Sequence, residues 1–361
     1  MKYDLTQARK CIETLDKRRF DRALLGSGDA FRHIVSLVPL LLHLNHPALP
    51  GYVEDAPAGI ADFILSNYQQ NFLSKEHPEL VEYVQSAVNS DAVFTPILGI
   101  YVMGSFGSIS QTSASDLDIW ICHQDDLSEQ DQQRLAEKTK KITQWASTFH
   151  VEMHFYLMTQ KRFRNERYSD PLTKENSGSA QYMLLLEEFY RSAVRLAGKP
   201  LLWLHLWVED EKQYEAEVAR LVAEGELNPN DWVDFGGLGQ FSASEYFGAS
   251  LWQLYKGIDS PYKSVMKILL LETYAQEYPN AHLIARQFKE DLLSGRSTAA
   301  HHFDPYIAIL ERISQYLTAH SEFKRLDFVR SCFYVKATED FALYHASNWR
   351  ISYMKMMAQE W

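Results

Sequence analysis

Cysteine is scarce: Cys11, Cys122 and Cys332 are all that 361 residues contain. Three well-separated thiols do not make a disulfide framework or a cysteine-rich zinc site, and they suit a reducing compartment. Basic residues are outnumbered, with 36 Lys and Arg against 47 Asp and Glu and a formal charge of −11. A general nucleic-acid binder needs a basic face for phosphates, so no nucleic-acid partner is expected. Long apolar runs are missing too. The longest, Ile34 to Leu44, carries Pro39 and His43 and is too short to cross a bilayer, so no membrane span is expected. The N-terminus, Met1-Lys2-Tyr3-Asp4, places charges where a secretion signal would be apolar. Together these absences predict a cytoplasmic protein. Internal repeats and low-complexity tracts are also lacking.

What is present describes an ordered globular chain: 46% apolar, 23% charged and 13% aromatic residues. The length allows two or three domains. Residues 1–59 are expected as N-terminal helices packed on a core, with helices over 5–25 and from Ala30 to Leu44. Residues 60–209 are expected as an α/β unit: a strand from Pro96 to Met103, a second from Leu117 to His123, a helix from Asp125 to Ser147, and a third strand over Val151–Leu157. A helix from Gln181 to Ala197, capped by Gly198, and a strand from Pro200 to Val208 follow. Beyond residue 209 the helical period dominates, so 210–361 is expected to be a helical domain. Its punctuation includes Ser242-Ala243-Ser244-Glu245, a capping-box pattern, and Ser260-Pro261 at the head of a long helix.

The chemistry concentrates between Gly104 and Trp120. Gly104-Ser105 is a turn that lets backbone approach an anion, and its N–H groups and the Ser105 hydroxyl are suitable phosphate donors. Ten residues on, Asp116 and Asp118 alternate with apolar Leu117 and Ile119, so in a strand both carboxylates share one face. Such a pair repels itself unless a cation intervenes, and magnesium suits hard oxygens completed by substrate phosphates. A bare Asp-x-Asp is most often a solvated turn; here the upstream Gly-Ser and the apolar flanks favour a metal site. Glu152, on the third strand with His154 and Tyr156, is a candidate third carboxylate, which a two-ion site needs. Ser115 is a further candidate phosphate donor. Lys263 and Lys267, one turn apart near a helix start, are candidate phosphate partners from the helical half. Lys161, Arg162, Arg164 and Arg167 lie in a charged loop that either reaches a triphosphate or forms a solvated lid.

These parts, in this order, resemble the nucleotidyltransferase superfamily that includes DNA polymerase beta. With Asp234-Phe235-Gly236-Gly237-Leu238, Glu245 to Lys256 and Ser260-Pro261-Tyr262-Lys263 added, the chain resembles the class I adenylate cyclases of enterobacteria over nearly its whole length. The resemblance implies an α+β protein: a mixed-sheet catalytic core with N-terminal helices and a C-terminal all-helical domain. It implies conversion of ATP into 3′,5′-cyclic AMP and pyrophosphate, with two Mg2+ ions, or Mn2+, held by Asp116, Asp118 and Glu152. Gly104, Ser105, Ser115, Lys263 and Lys267 would then bind the nucleotide phosphates. It also implies a regulatory region following this chain and phosphotransferase-system regulators as partners. The same local site would serve a transferase that moves a nucleotidyl group onto a separate acceptor, and a catalytically dead nucleotide sensor is a third reading. Base recognition is not assigned by any motif; His154, Tyr156 and aromatics of the helical half are the candidates.

Overall fold

The computed structural model describes residues 5–25, 27–82, 84, 95–112, 115–165, 182–239, 241–295, 301–339 and 349–361. Arg167 and most of the charged loop that contains it lie outside the described residues. At the centre is a four-stranded mixed sheet of order β3-β2-β1-β4, built from β1 (Ile97–Met103), β2 (Leu117–His123), β3 (Met153–Met158) and β4 (Val194–Gly198). β1 pairs antiparallel with β2 and with β4, whereas β2 and β3 run parallel. The parallel pair needs a crossover, and the helix Glu129–Ser147, capped by the Ser128 side chain, provides it.

Period-two alternation along β2 separates two cores. Leu117, Ile119 and Ile121 pack with the N-terminal helices Leu5–Leu25 and Asp29–His43 in one apolar cluster. Trp120 and Cys122 face the other way, into a cluster that continues through the C-terminal helices. Trp120 stacks on Phe189 with ring centroids 4.1 Å apart, so one aromatic contact joins the sheet to the helix Tyr182–Ser192. The architecture is therefore α+β, a mixed sheet between N-terminal helices and a largely helical C-terminal half.

Two expectations are corrected. The helix read through Ala197 stops at Ser192, and Val194–Gly198 is the edge strand β4. Gly198 is not a helix cap. Its φ is +85°, and an added Cβ would stand 2.5 Å from the Leu98 carbonyl oxygen, so glycine is needed where β4 crosses β1. The expected strand from Pro200 to Val208 is instead a short helix, Leu202–His205, preceded by a single bridge between Leu201 and Val233. Among the described residues no helix is long and apolar enough to cross a membrane.

Candidate active site

The site forms where β1 ends and β2 begins. Met103 closes β1 and is the register partner of Asp118, which in turn pairs with His154 on β3. Gly104 therefore begins its turn beside Asp118, and its φ of +88° is accessible mainly to glycine. A cavity of about 490 Å³ opens there. Gly104, Ser105, Asp116, Asp118 and Glu152 line it from the sheet side, and Lys263 and Lys267 from the helix Pro261–Gln276. Of the residues expected at the site, Ser115 alone is not in the lining. Its hydroxyl accepts from the Thr112 N–H at 2.9 Å and serves the turn.

Several groups of the turn after β1 are held by other parts of the protein. The Gly104 N–H donates to Ser192 Oγ at 3.1 Å, Gly107 N–H to Gln111 Oε1 at 2.7 Å and Ile109 N–H to Asp304 Oδ2 at 2.8 Å. Arg350 Nε donates to the Ile109 carbonyl at 2.9 Å. Helical-half residues thus fasten the loop from outside. Ser105 is the exception: it is buried, and its hydroxyl has no partner among the described residues. What the geometry offers an anion is the Ser105 hydroxyl together with the Ser105 and Phe106 N–H groups, for which no acceptor stands among the described residues.

Asp118 keeps part of its surface open to the cavity but is surrounded by protein. Burial, followed by the neighbouring Asp116 carboxylate, pushes its pKa up to about 6, against the pull of His154, Lys263 and Lys267. Tyr156 Oη donates to Asp118 Oδ1 at 3.3 Å. Glu152 sits just before β3 with its side chain 71% exposed, and His154 Nε2 approaches it at 3.2 Å. His154 and Tyr156, the candidates for base recognition, are thus already engaged with carboxylates. Among the described residues no three His, Cys, Asp or Glu side chains stand close enough together to hold a metal ion. The Asp116–Asp118 pair does fit one hard cation: two carboxylates with a half-buried, mutually repelling charge are what an ion completed by water and phosphates relieves.

The two lysines differ. Lys267 Nζ is 2.7 Å from Glu188 Oε1, and Glu188 also faces Arg191. Burial opposes the Lys267 charge, but Glu188 more than offsets this and raises its pKa; Glu188, despite its own burial, is lowered by Lys267 and Arg191. Lys263 has no such carboxylate among the described residues; its ammonium lies 5.8 Å from the centre of the Tyr306 ring. Arg164, one of the loop residues that could have reached a triphosphate, turns to Asp234 at 2.9 Å and to Glu215. Sequence reasoning did not find Glu188, Ser192 or the wall formed by Trp252, Gln253 and Tyr306. An acid inside the apolar stripe of Tyr182–Ser192 was the available signal for Glu188.

The family description "Adenylate cyclase NT domain" matches residues 4–204, more than half of the chain, and "Adenylate cyclase, class-I, second domain" matches residues 241–361. An adenylate cyclase of Haemophilus influenzae is 68% identical over 100% of this chain and 43% of its own length. One of Pasteurella multocida is 60% identical over 100% of this chain and 44% of its own length. One of Escherichia coli K12 is 44% identical over 97% of this chain and 41% of its own length. The chain thus spans less than half the length of these relatives. No solved structure matches it.

Proposed function

The chain belongs to the class-I adenylate cyclase family, and from that premise we propose that its cavity binds ATP and converts it to 3′,5′-cyclic AMP and pyrophosphate. The observation that carries the reading is the shared cavity: Ser105, Asp116 and Asp118 from the sheet and Lys263 from the helical half all line it. A triphosphate needs neutralising charge from more than one side, and this arrangement supplies it.

In this reading Asp116 and Asp118 hold a divalent cation, magnesium or manganese, and Glu152 is the ligand available to a second ion. Such ions, when bound, neutralise the triphosphate and lower the pKa of the ribose 3′-hydroxyl that attacks the α-phosphorus. The Ser105 hydroxyl donates to phosphate oxygens, with Gly104 setting the turn. Lys263 meets the phosphates directly. Lys267, held by Glu188, adds positive potential at the cavity wall, and Ser115 acts only by shaping the loop. Tyr156 fixes the orientation of Asp118. The core is read as a polymerase beta-like nucleotidyltransferase unit, supported by the Gly-Ser turn at the end of β1 and the Asp pair at the start of β2. A cytoplasmic location, and phosphotransferase-system regulators acting through the further length that the relatives possess, belong to the same proposal.

Labelled ATP with magnesium or manganese, and no acceptor, tests it. Release of cyclic AMP and pyrophosphate is the expected result. Label transferred only when a second hydroxyl compound is added would overturn it in favour of a nucleotidyl transferase.

A further inference from the structure

We propose that Gln253, assisted by Ser264, is the residue that reads the hydrogen-bonding edge of the adenine base. The inference rests on the reading of the cavity as an ATP site and adds the origin of its base recognition.

Gln253 lies on the helix Ala243–Lys256 and Ser264 on the next, Pro261–Gln276. They are 5% and 3% exposed, and both line the cavity. Neither side chain has a hydrogen-bond partner among the described residues. That sets Gln253 apart from the other buried glutamines. The Gln69 amide donates to the Ser36 carbonyl at 2.8 Å, and the Gln111 amide donates to Ser27 Oγ at 2.9 Å and the Ala23 carbonyl at 3.2 Å. The rest of the Gln253 side chain is packed away while its carboxamide is left to the cavity, and a polar group so placed is available to a ligand.

The chemistry of the group narrows the ligand. A carboxamide presents one acceptor and one donor side by side, and adenine presents the complement, its 6-amino donor beside a ring-nitrogen acceptor. Ser264 packs near the end of the Gln253 helix: a Cβ added at Gly257, one turn beyond Gln253, would be in ordinary contact with Ser264 Cβ at 3.5 Å. Trp252 and Tyr306, both largely buried, give the cavity the apolar surface that a flat base requires. His154 and Tyr156, the other polar candidates, already face Glu152 and Asp118.

A carboxamide can rotate and offer its donor and acceptor in either order, so ATP against GTP is not the decisive comparison. The decisive analogue is purine riboside 5′-triphosphate, which lacks the 6-amino group. Wild-type protein should favour ATP over this analogue by roughly ten- to a hundredfold in kcat/KM. Gln253→Leu should bring the ratio close to one by losing ATP turnover, and Ser264→Ala should reduce it partly. The unfolding midpoint of Gln253→Leu should hold or rise, since an unpaired polar group is being replaced by an apolar one. The same ratio is read in the calorimetric Kd of both triphosphates with manganese, which separates the two readings. Binding with the expected ratio but no cyclic product sinks the cyclase reading alone. Cyclic product from a Gln253→Leu protein that keeps the wild-type ratio overturns the assignment of Gln253. Failure of both triphosphates to bind overturns both.

Discussion

Lys267 Nζ donates to Glu188 Oε1 at 2.7 Å on the cavity wall, tying the helix Pro261–Gln276 to the helix Tyr182–Ser192. Behind it Arg191 pairs with Glu187, which also accepts from Tyr274 Oη at 3.2 Å and the Ala285 N–H at 3.1 Å. Removing the lysine leaves two buried glutamates to share one arginine. Lys267→Met should therefore destabilise the fold by about 3 kcal/mol, the lower end of what breaking a buried ion pair costs. Lys263→Met should change stability by no more than about 0.5 kcal/mol, as at a site without a structural partner, while weakening ATP binding. Urea denaturation of both variants, alongside the Glu188→Gln and double-variant proteins, checks this. A coupling below about 0.5 kcal/mol between positions 188 and 267 would contradict the role given to the pair.

Asp116 and Asp118 impose a cost on the protein when no cation is bound. Both line one cavity, and Asp118 is further penalised by burial. Asp118→Asn should raise the stability of the cation-free protein by about 1–2 kcal/mol, the usual exchange of function for stability at a charged site. Cyclic AMP formation should fall by roughly a hundred- to a thousandfold or more. Manganese at a hundred times its Kd should stabilise the wild type by about 2.7 kcal/mol, raising its thermal midpoint, and leave the midpoint of Asp118→Asn unmoved. Chelator and metal titrations followed by differential scanning fluorimetry provide the measurement.

Much of this site was legible because its chemistry is written in local spacing. Asp116, Leu117, Asp118 and Ile119 alternate on a strand, and the structure keeps the alternation: Leu117 and Ile119 are 1% exposed while Asp118 reaches the cavity. The long C-terminal helices were legible for the same reason, since each carries its own punctuation. What failed depended on partners remote in the chain. Val194 to Ala197 continues a helical pattern without a breaker, and only pairing with β1 makes it a strand. The Ser242 hydroxyl caps its helix by accepting from the Glu245 N–H at 3.3 Å, as the local pattern indicates, but that Glu245 also accepts from the Leu184 N–H at 2.8 Å is not visible locally. Ser260 begins a helix without a side-chain cap. Ser192 and Asp304, 88 and 195 residues from their partners, hold the Gly104 and Ile109 amides, which local spacing does not show.

Gly107 is fixed by its neighbour as well as by its backbone angle. Its φ is +68°, and an added Cβ would lie 2.3 Å from the Arg19 carbonyl oxygen on the helix Leu5–Leu25. Arg19 cannot yield cheaply: its guanidinium donates to the Arg191 carbonyl at 3.0 Å and to the carbonyls of Ala193 and Phe303. Gly107→Ala should cost on the order of 3 kcal/mol or more. Gly295 has the same φ of +68° with nothing within 4 Å of an added Cβ, so Gly295→Ala should cost only about 1 kcal/mol. Equal losses in urea midpoint would show that the backbone angle alone, and not the helix contact, makes Gly107 necessary.

His43 gives the fold a defined acid sensitivity. Its Nδ1 accepts from the Ile60 N–H at 3.1 Å and its ring stacks on Phe63 with centroids 4.0 Å apart. An accepting Nδ1 requires the neutral ring, and burial lowers the pKa from 6.5 to about 4. Between those values the unfolded chain binds a proton that the folded one does not, so stability rises with pH across the window. Read in the other direction, the contribution is complete above pH 6.5 and is lost as the pH falls toward about 4, by up to about 3 kcal/mol. His43→Asn keeps an acceptor in place and cannot titrate. Urea midpoints taken in half-unit steps from pH 7.5 to pH 4 should therefore show the wild type losing stability faster than the variant, with the gap opening below pH 6.5. Curves that stay parallel through the window would mean that His43 keeps an ordinary pKa and that the acid sensitivity of the fold lies elsewhere.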